Sequence, residues 1–374
     1  MAQTRVFSSS FKKQHVYLRT PQAFILDSLE IDFPSDGKLW LKVDGTASIS
    51  FGDVITLAVS NYQGWVSNDG NTNVFAVDSA HVTSAFGHSR TYYVEKGKSK
   101  FYALAHNWTD HYGTGYADVW GSLVAMYSPT EQENSNFEGQ GFYVYPFNIE
   151  AKPKIVREIK VNPENGDKFC VFYEGIHYGA TDDEIEFAIT NDSVFLQNQH
   201  NGLLGITSGY GGRYLATQNC FLPEFIDSSV FLIAKKHAGN FSTDQNGIYS
   251  NFLVNYKVDA FQGFDKQVTP TNREIDNFEF VAPQKGKLLI KTTGHITSDG
   301  ISSMVVDLHS VKGESPGENA LIVQSFSAAY KNEYFSICKL VDVSPGANHL
   351  YLSAYLQSGS DSIRVAGETT LQFI

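Results

Sequence analysis

Residues Gly37-Lys-Leu-Trp-Leu-Lys-Val-Asp-Gly45 return near the other end of the chain as Gly286-Lys-Leu-Leu-Ile-Lys-Thr-Thr-Gly294. One matching phrase means little in strand-rich sequence, so the weight falls on the landmarks C-terminal to each copy. Val94, Gly97 and Tyr102 of VEKGKSKFYALA match Val343, Gly346 and Tyr351 of VSPGANHLYLSA at one constant offset, and Gly121 in VWGSLVAMY holds the place of Gly367 in VAGETTLQF. Landmarks repeated in the same order imply an internal duplication. A more divergent copy is expected between them, opening with Gly166-Asp-Lys-Phe-Cys-Val-Phe-Tyr-Glu-Gly175 and closing through SSVFLIAKK and SNFLVNYK. Repeats of this size are too large for solenoid units and suit folded domains. The expected domains are 1–130, 131–262 and 263–374, with junctions in the polar stretches SPTEQENSNFEGQG and VDAFQGFDKQVTPTNRE.

Period-two alternation runs through LWLKVDG, TYYVEKG, KFYALAHN, KLLIKTTG and HLYLSAYLQ, and no long segment carries a helical stripe. Turn signals such as PSDGK, VEKGK, PENGD, TSDGI and SPGAN interrupt these runs at short intervals. The fold class expected is all-β: tandem antiparallel β-sandwich domains of jelly-roll type, about eight strands per copy, the outer two related by duplication. With 27 Phe and 20 Tyr, the chain has more aromatics than separate sandwich cores need, so some are expected at interfaces between domains or subunits.

The phrase G-x-x-x-F-Y-A-L-A, a polar loop and W-G-S-L-V-A-M-Y together resemble the last strands of C1q/TNF-like trimeric jelly-rolls. Gly97, Tyr102, Trp120, Gly121 and Leu123 carry the resemblance, and Gly346, Tyr351, Gly367 and Leu371 carry a fainter version. Phage and other surface fibre proteins use similar sandwiches. The resemblance implies packing around a threefold axis: three copies in one chain build a trimer-like ring internally, or three chains stack as tiers. A homo-oligomer, and in particular a trimer, is the assembly it implies.

With 28 basic against 40 acidic residues the formal charge is -12, which disfavours nucleic-acid backbones and anionic membrane surfaces, so no nucleic acid is expected as partner. The opening MAQTRVFSSSFKKQHVYLRT lacks an apolar run of signal-peptide length, and no stretch is long enough to cross a bilayer, so no membrane insertion is expected. The expected location is extracellular or virion/particle-associated, with a cytoplasmic one left open. Cys170, Cys220 and Cys338 are scattered and odd in number, which fits buried small residues better than a disulfide framework or metal knuckle.

Binding chemistry is sought where aromatic faces stand beside amides and carboxylates, because a sugar offers a ring face to stack and hydroxyls to hydrogen-bond. Trp65 with Asn68, Asp69 and Asn71 in QGWVSNDGNTN, and Trp108 with Asp110 in HNWTDH, have that composition. Trp40 and Trp120 lie within strand alternation and are expected inside. The glycine-rich LLGITSGYGGRY lacks the lysine of a phosphate loop; its glycines are expected to form an exposed turn that offers Tyr210, Arg213 and Tyr214 to a partner. His106, Asp110 and His111 present nitrogen and oxygen donors close together, but their spacing matches no familiar metal site. SNDGNTN lacks the bidentate Glu of a calcium loop. The metal question stays open, and no cofactor is expected.

No nucleophile elbow or H-E-x-x-H helix occurs in the sequence. The expected function is a non-catalytic surface or particle-associated protein that recognises a glycan or protein partner. The alternatives are a structural capsid, baseplate or fibre subunit, and a polysaccharide-active enzyme with paired carboxylates on separate strands.

Overall fold

The computed structural model describes residues 4–17, 23–49, 54–64, 74–77, 83–107, 116–130, 137–144, 152–161, 168–178, 184–191, 204–207, 213–221, 229–238, 247–256, 258–271, 273–298, 302–318, 320–325, 332–359 and 362–374. The first group of strands is β1 (Arg5–Tyr17), β2 (Phe24–Phe33), β3 (Gly37–Ile49), β4 (Val54–Ser60), β5 (Val74–Val77), β6 (Thr83–Val94), β7 (Gly97–Asn107) and β8 (Tyr116–Pro129). The second is β9 (Phe137–Val144), β10 (Lys154–Lys160), β11 (Phe169–Tyr178), β12 (Glu184–Thr190), β13 (Leu204–Thr207), β14 (Arg213–Phe221), β15 (Ser229–Ala238) and β16 (Gly247–Asn255). The third is β17 (Ala260–Val268), β18 (Glu274–Ala282), β19 (Gly286–Thr297), β20 (Ser302–His309), β21 (Leu321–Ser325), β22 (Asn332–Val343), β23 (Gly346–Ser358) and β24 (Ile363–Phe373).

The first group forms two sheets, β1-β8-β3-β6 and β2-β7-β4-β5. The same order recurs as β9-β16-β11-β14 with β10-β15-β12-β13, and again as β17-β24-β19-β22 with β18-β23-β20-β21. First strand beside eighth and second beside seventh is the order made by rolling up one long antiparallel hairpin, which is the jelly roll. The protein is all-β, as its alternation implies. The expected junction at residue 262 falls inside β17, which pairs along its length with β24 of the same sandwich.

Register explains the landmarks shared by the outer copies. Gly45 faces Gly121 across β3 and β8, and Gly294 faces Gly367 across β19 and β24. A Cβ on Gly121 would stand 2.0 Å from the Asp44 carbonyl oxygen, and one on Gly367 would stand 2.1 Å from that of Thr293. Only glycine lets the paired backbones approach this closely. Gly97 and Gly346 have φ of 118° and 96° at the hairpin turns that open β7 and β23, a conformation L side chains rarely adopt.

The three sandwiches close into a ring. The sheet β1-β8-β3-β6 packs on β21 and β22 of the third, the sheet β17-β24-β19-β22 packs on β13 and β14 of the second, and the sheet β9-β16-β11-β14 packs on β5 and β6 of the first. Each sandwich offers the same sheet to one neighbour and the same edge to the other, a head-to-tail contact that closes after three steps. Both faces of β3 are therefore covered: Leu39, Leu41 and Val43 point into their own sandwich, while Trp40, Lys42 and Asp44 point at the neighbours. A separate apolar cluster marks the meeting point, with Trp40 and Met126 from the first sandwich, Phe137 and Phe172 from the second, and Leu289 and Cys338 from the third. The edge strand β1 has only part of its outer face covered and keeps a mixed exposed and buried pattern.

Candidate functional site

The ring places charge at its centre. The Lys42 ammonium, on β3, donates to the carboxylate of Glu174 on β11, with both side chains 1% exposed. The Tyr214 hydroxyl donates to the same carboxylate at 3.3 Å. Gly87 on β6 makes room for them, since a Cβ there would stand 2.3 Å from the Tyr214 oxygen and 3.0 Å from the Lys42 nitrogen. Burial pushes the Tyr214 phenol well above its ordinary pKa. Lys291, buried and 4.6 Å over the Trp40 ring, has its pKa lowered by burial. These groups join the first sandwich to the second and third, and their closure leaves them no access to a partner.

Access lies in the clefts between sandwiches. Between the first and second is a cleft of about 530 Å³ whose walls include Tyr93, Thr91 and Lys38 on one side and Glu138, Gln140 and Glu158 on the other. Tyr93 is 82% exposed, the highest among the large apolar side chains described. It faces Lys38 directly across β6 and β3, with the ammonium 6.0 Å from its ring centre. Glu138 accepts from the Tyr256 hydroxyl at 3.4 Å and Glu158 from the Ser229 hydroxyl at 2.7 Å, which steadies both carboxylates at the rim. At Gly139 a Cβ would stand 1.9 Å from the Thr91 hydroxyl oxygen, so glycine sets the close approach of β9 to β6 at the cleft wall. An exposed aromatic ring beside an amide, carboxylates and an ammonium can stack on an apolar sugar face and hydrogen-bond its hydroxyls.

Between the first and third sandwiches a second cleft, of about 390 Å³, is lined by Ser10, Asp44, Ser122, Asp307, Ser336 and Lys339 among others. Asp44 accepts from the Ser122 hydroxyl and, at 2.6 Å, from the backbone N–H of Cys338. Burial raises its pKa to about 6. The Lys339 ammonium donates to Asp307, whose other oxygen accepts from the Gly317 N–H at 2.8 Å.

Of the residues expected to bind, Trp65, Asn68, Asp69, Asn71, Trp108, Asp110 and Tyr210 lie outside the described residues, as does His111. Arg213 opens β14, and Tyr214 is the next residue, buried at the ring centre instead of forming an exposed contact on a turn. The reason is strand direction: β14 is the edge that meets the third sandwich, so its rings turn inward. Trp40 and Trp120 are buried, and the Trp120 indole N–H donates to the Ala320 carbonyl at 3.0 Å across the junction. Cys170 and Cys338 are buried and all three cysteines are free. Among the described residues no three His, Cys, Asp or Glu side chains converge on a possible metal position, and no helix is long and apolar enough to cross a membrane. Sequence reasoning misses Tyr93 because TYYVEKG reads as an ordinary alternating strand, although the place of Thr91 and Tyr93 on the polar side of that alternation is a usable signal.

No family model and no curated protein matches the chain. Solved structures with some likeness include PNGF-II, at 11% identity over 68% of this chain and 73% of that one, with a TM-score of 0.27. A chain of the Sulfolobus turreted icosahedral virus gives 9% identity over 99% and 90%, with a TM-score of 0.21. The N-terminal CBM22-1–CBM22-2 tandem domain of Xyn10C from Paenibacillus barcinonensis gives 10% over 68% and 91%, with a TM-score of 0.20. Scores this low carry nothing about ligand or assembly, and the strand order of the three sandwiches is what establishes the architecture.

Proposed function

We propose that the protein is a non-catalytic glycan-binding protein, built as a single-chain counterpart of a C1q/TNF-like trimer and working at a cell surface or on a particle. Its folding units are the sandwiches at 1–130, 131–256 and 258–374, and its binding surface is the cleft between the first two. The observation that carries the reading is Tyr93, 82% exposed at a cleft of about 530 Å³ among Gln140, Glu138 and Lys38.

The test is a glycan panel probed with the full chain, alongside Tyr93→Ala, Trp65→Ala and Trp108→Ala. Saturable binding that weakens at least tenfold in Tyr93→Ala, about 1.4 kcal/mol, with unchanged thermal unfolding, supports the cleft. Loss only in Trp65→Ala or Trp108→Ala moves the site to those residues. No binding to any glycan, with concentration-dependent particles instead, supports a structural subunit. The exposed cluster at the paired ends of β1 and β8 is what favours that second reading: Tyr17 is 65% and Tyr116 47% exposed, both packed on the His15 ring.

A further inference from the structure

We propose that the cleft between the first and third sandwiches binds a small hydroxylated primary amine, its ammonium held by Asp44 and its hydroxyls by the serines around it. The first argument is register. Ser10, Ser122 and Asp44 are direct cross-strand neighbours on β1, β8 and β3, so one polar row crosses the sheet from the exposed edge to the buried carboxylate. The cleft opens along that row, and its volume of about 390 Å³ lies in the range of small-molecule sites.

The second argument is charge. Asp307 is neutralised by Lys339, and Glu318 by Lys12 at 2.6 Å. Asp44 makes no ion pair among the described residues, its nearest cation being Lys42. Lys42, on the same face of β3, gives its hydrogen bond to Glu174, and Lys291 sits over the Trp40 ring. Lys42 is therefore shared between Glu174 and Asp44, and the cleft lining itself carries Asp44, Asp307 and Glu318 against Lys339. The groups that touch the Asp44 carboxylate directly are the Ser122 hydroxyl and the Cys338 N–H. A buried carboxylate that touches no cation and shares its nearest one with a second carboxylate favours a cationic ligand over a neutral one.

The third argument is an open hydroxyl. Ser336, 1% exposed on the cleft wall, lies near the Tyr214 hydroxyl yet meets no hydrogen-bond partner of good geometry among the described residues. A ligand hydroxyl in the cleft would satisfy it. Val124, Leu321 and Ile337 line the remaining wall and give the carbon skeleton an apolar surface.

The test is calorimetric titration of the full chain with glucosamine, glucose and N-acetylglucosamine at pH 7.5 and pH 5. Glucosamine is expected to bind at least tenfold more tightly than the two neutral sugars at pH 7.5. That preference should shrink at pH 5, where Asp44 carries a proton. Asp44→Asn is expected to abolish it, but this change also touches the sandwich junction. Ser10→Trp, made from an exposed position on β1 at the cleft mouth, fills the entrance and should remove binding while leaving the unfolding midpoint in place. Equal binding of glucosamine and glucose, no binding of glucosamine by the folded chain, or binding that survives Ser10→Trp would each overturn the proposal. The Tyr93 cleft is distinguished by Tyr93→Ala, which should leave glucosamine binding at Asp44 unchanged.

Discussion

Lys42 and Glu174, 132 positions apart in the chain, form a buried ion pair that bolts the first sandwich to the second. They occupy neighbouring rows of the two corresponding strands: Lys42 lies three residues before Gly45 on β3, and Glu174 one residue before Gly175 on β11. In the third sandwich the place of Lys42 is taken by Lys291, which lies over Trp40 instead of meeting a carboxylate. The ring is thus threefold in backbone and asymmetric in charge.

A buried pair contributes little net stability but is costly to break. Lys42→Met should destabilise the protein by about 3–5 kcal/mol, because the buried Glu174 loses its counter-ion and keeps only the Tyr214 hydroxyl. The double variant Lys42→Met/Glu174→Leu should recover most of that loss. Denaturant unfolding of the two single variants and the double variant gives the coupling directly. Single variants that each cost under about 1 kcal/mol would show the pair to be solvated, as surface ion pairs are.

Glu368 on β24 shows how burial without a partner acts on stability. Its pKa is raised to about 7 by burial alone, and one carboxylate oxygen has no hydrogen-bond partner among the described residues. The folded state therefore holds this proton more tightly than the unfolded chain. The carboxylate costs stability when ionised, and the cost fades as pH falls from about 7 toward the ordinary value of 4.5. Glu368→Gln should be more stable than the parent by about 1–3 kcal/mol at pH 8, with the difference vanishing near pH 4. His295, lowered to about 4 by burial, contributes in the opposite sense, so stability gained as pH rises from 4 to 6.5 belongs to it. The two are separable because only the Glu368 part disappears in Glu368→Gln. A difference between the proteins that is flat from pH 4 to 8 would rule this out.

The glycines separate two kinds of constraint. Gly97 has a positive φ but open space around its absent Cβ, so Gly97→Ala should cost only backbone strain, about 1–3 kcal/mol. Gly121 is crowded by the Asp44 carbonyl and the Gly45 Cα, so Gly121→Ala must push β8 from β3 in the middle of a sheet. It should cost more than Gly97→Ala and lower protease resistance across β1, β8 and β3, whereas Gly97→Ala should leave that resistance unchanged. Equal losses in thermal unfolding would contradict the close approach at Gly121.

How much of this the sequence reveals depends on what covers each face. The duplicated phrases mark positions where both outer copies need glycine, and Gly45, Gly121, Gly294 and Gly367 can be paired from order alone. Trp40 and Trp120 are legible as buried because they interrupt apolar alternation. Lys42, Asp44, Lys291 and Thr292 are not: alternation assigns the first three to a solvent face, yet that face meets the next sandwich, and all four are buried. Tyr214 misleads for the same reason, since glycines before it signal a turn while β14 carries it into the ring centre. The partner of Lys42 is hidden because it lies in a different copy at a different row. Comparing copies reveals what they share and conceals what makes them complementary.

The ring also predicts a mass. The three sandwiches cover one another within one chain, with Trp40, Phe172 and Leu289 supplied by the three to a single buried cluster. Light scattering coupled to size exclusion should therefore find a species of 41.5 kDa at low concentration, and association at higher concentration should run through other faces, the Tyr17 and Tyr116 cluster on β1 and β8 first. Trp40→Ala should cost about 3–5 kcal/mol and leave the mass of the folded chain at one copy, because covalent linkage keeps the sandwiches together after their contact is weakened. Tyr17→Ser/Tyr116→Ser should abolish association without lowering stability. A stable mass of three chains, lost on Trp40→Ala, would mean that this cluster forms between chains and would overturn the internal ring.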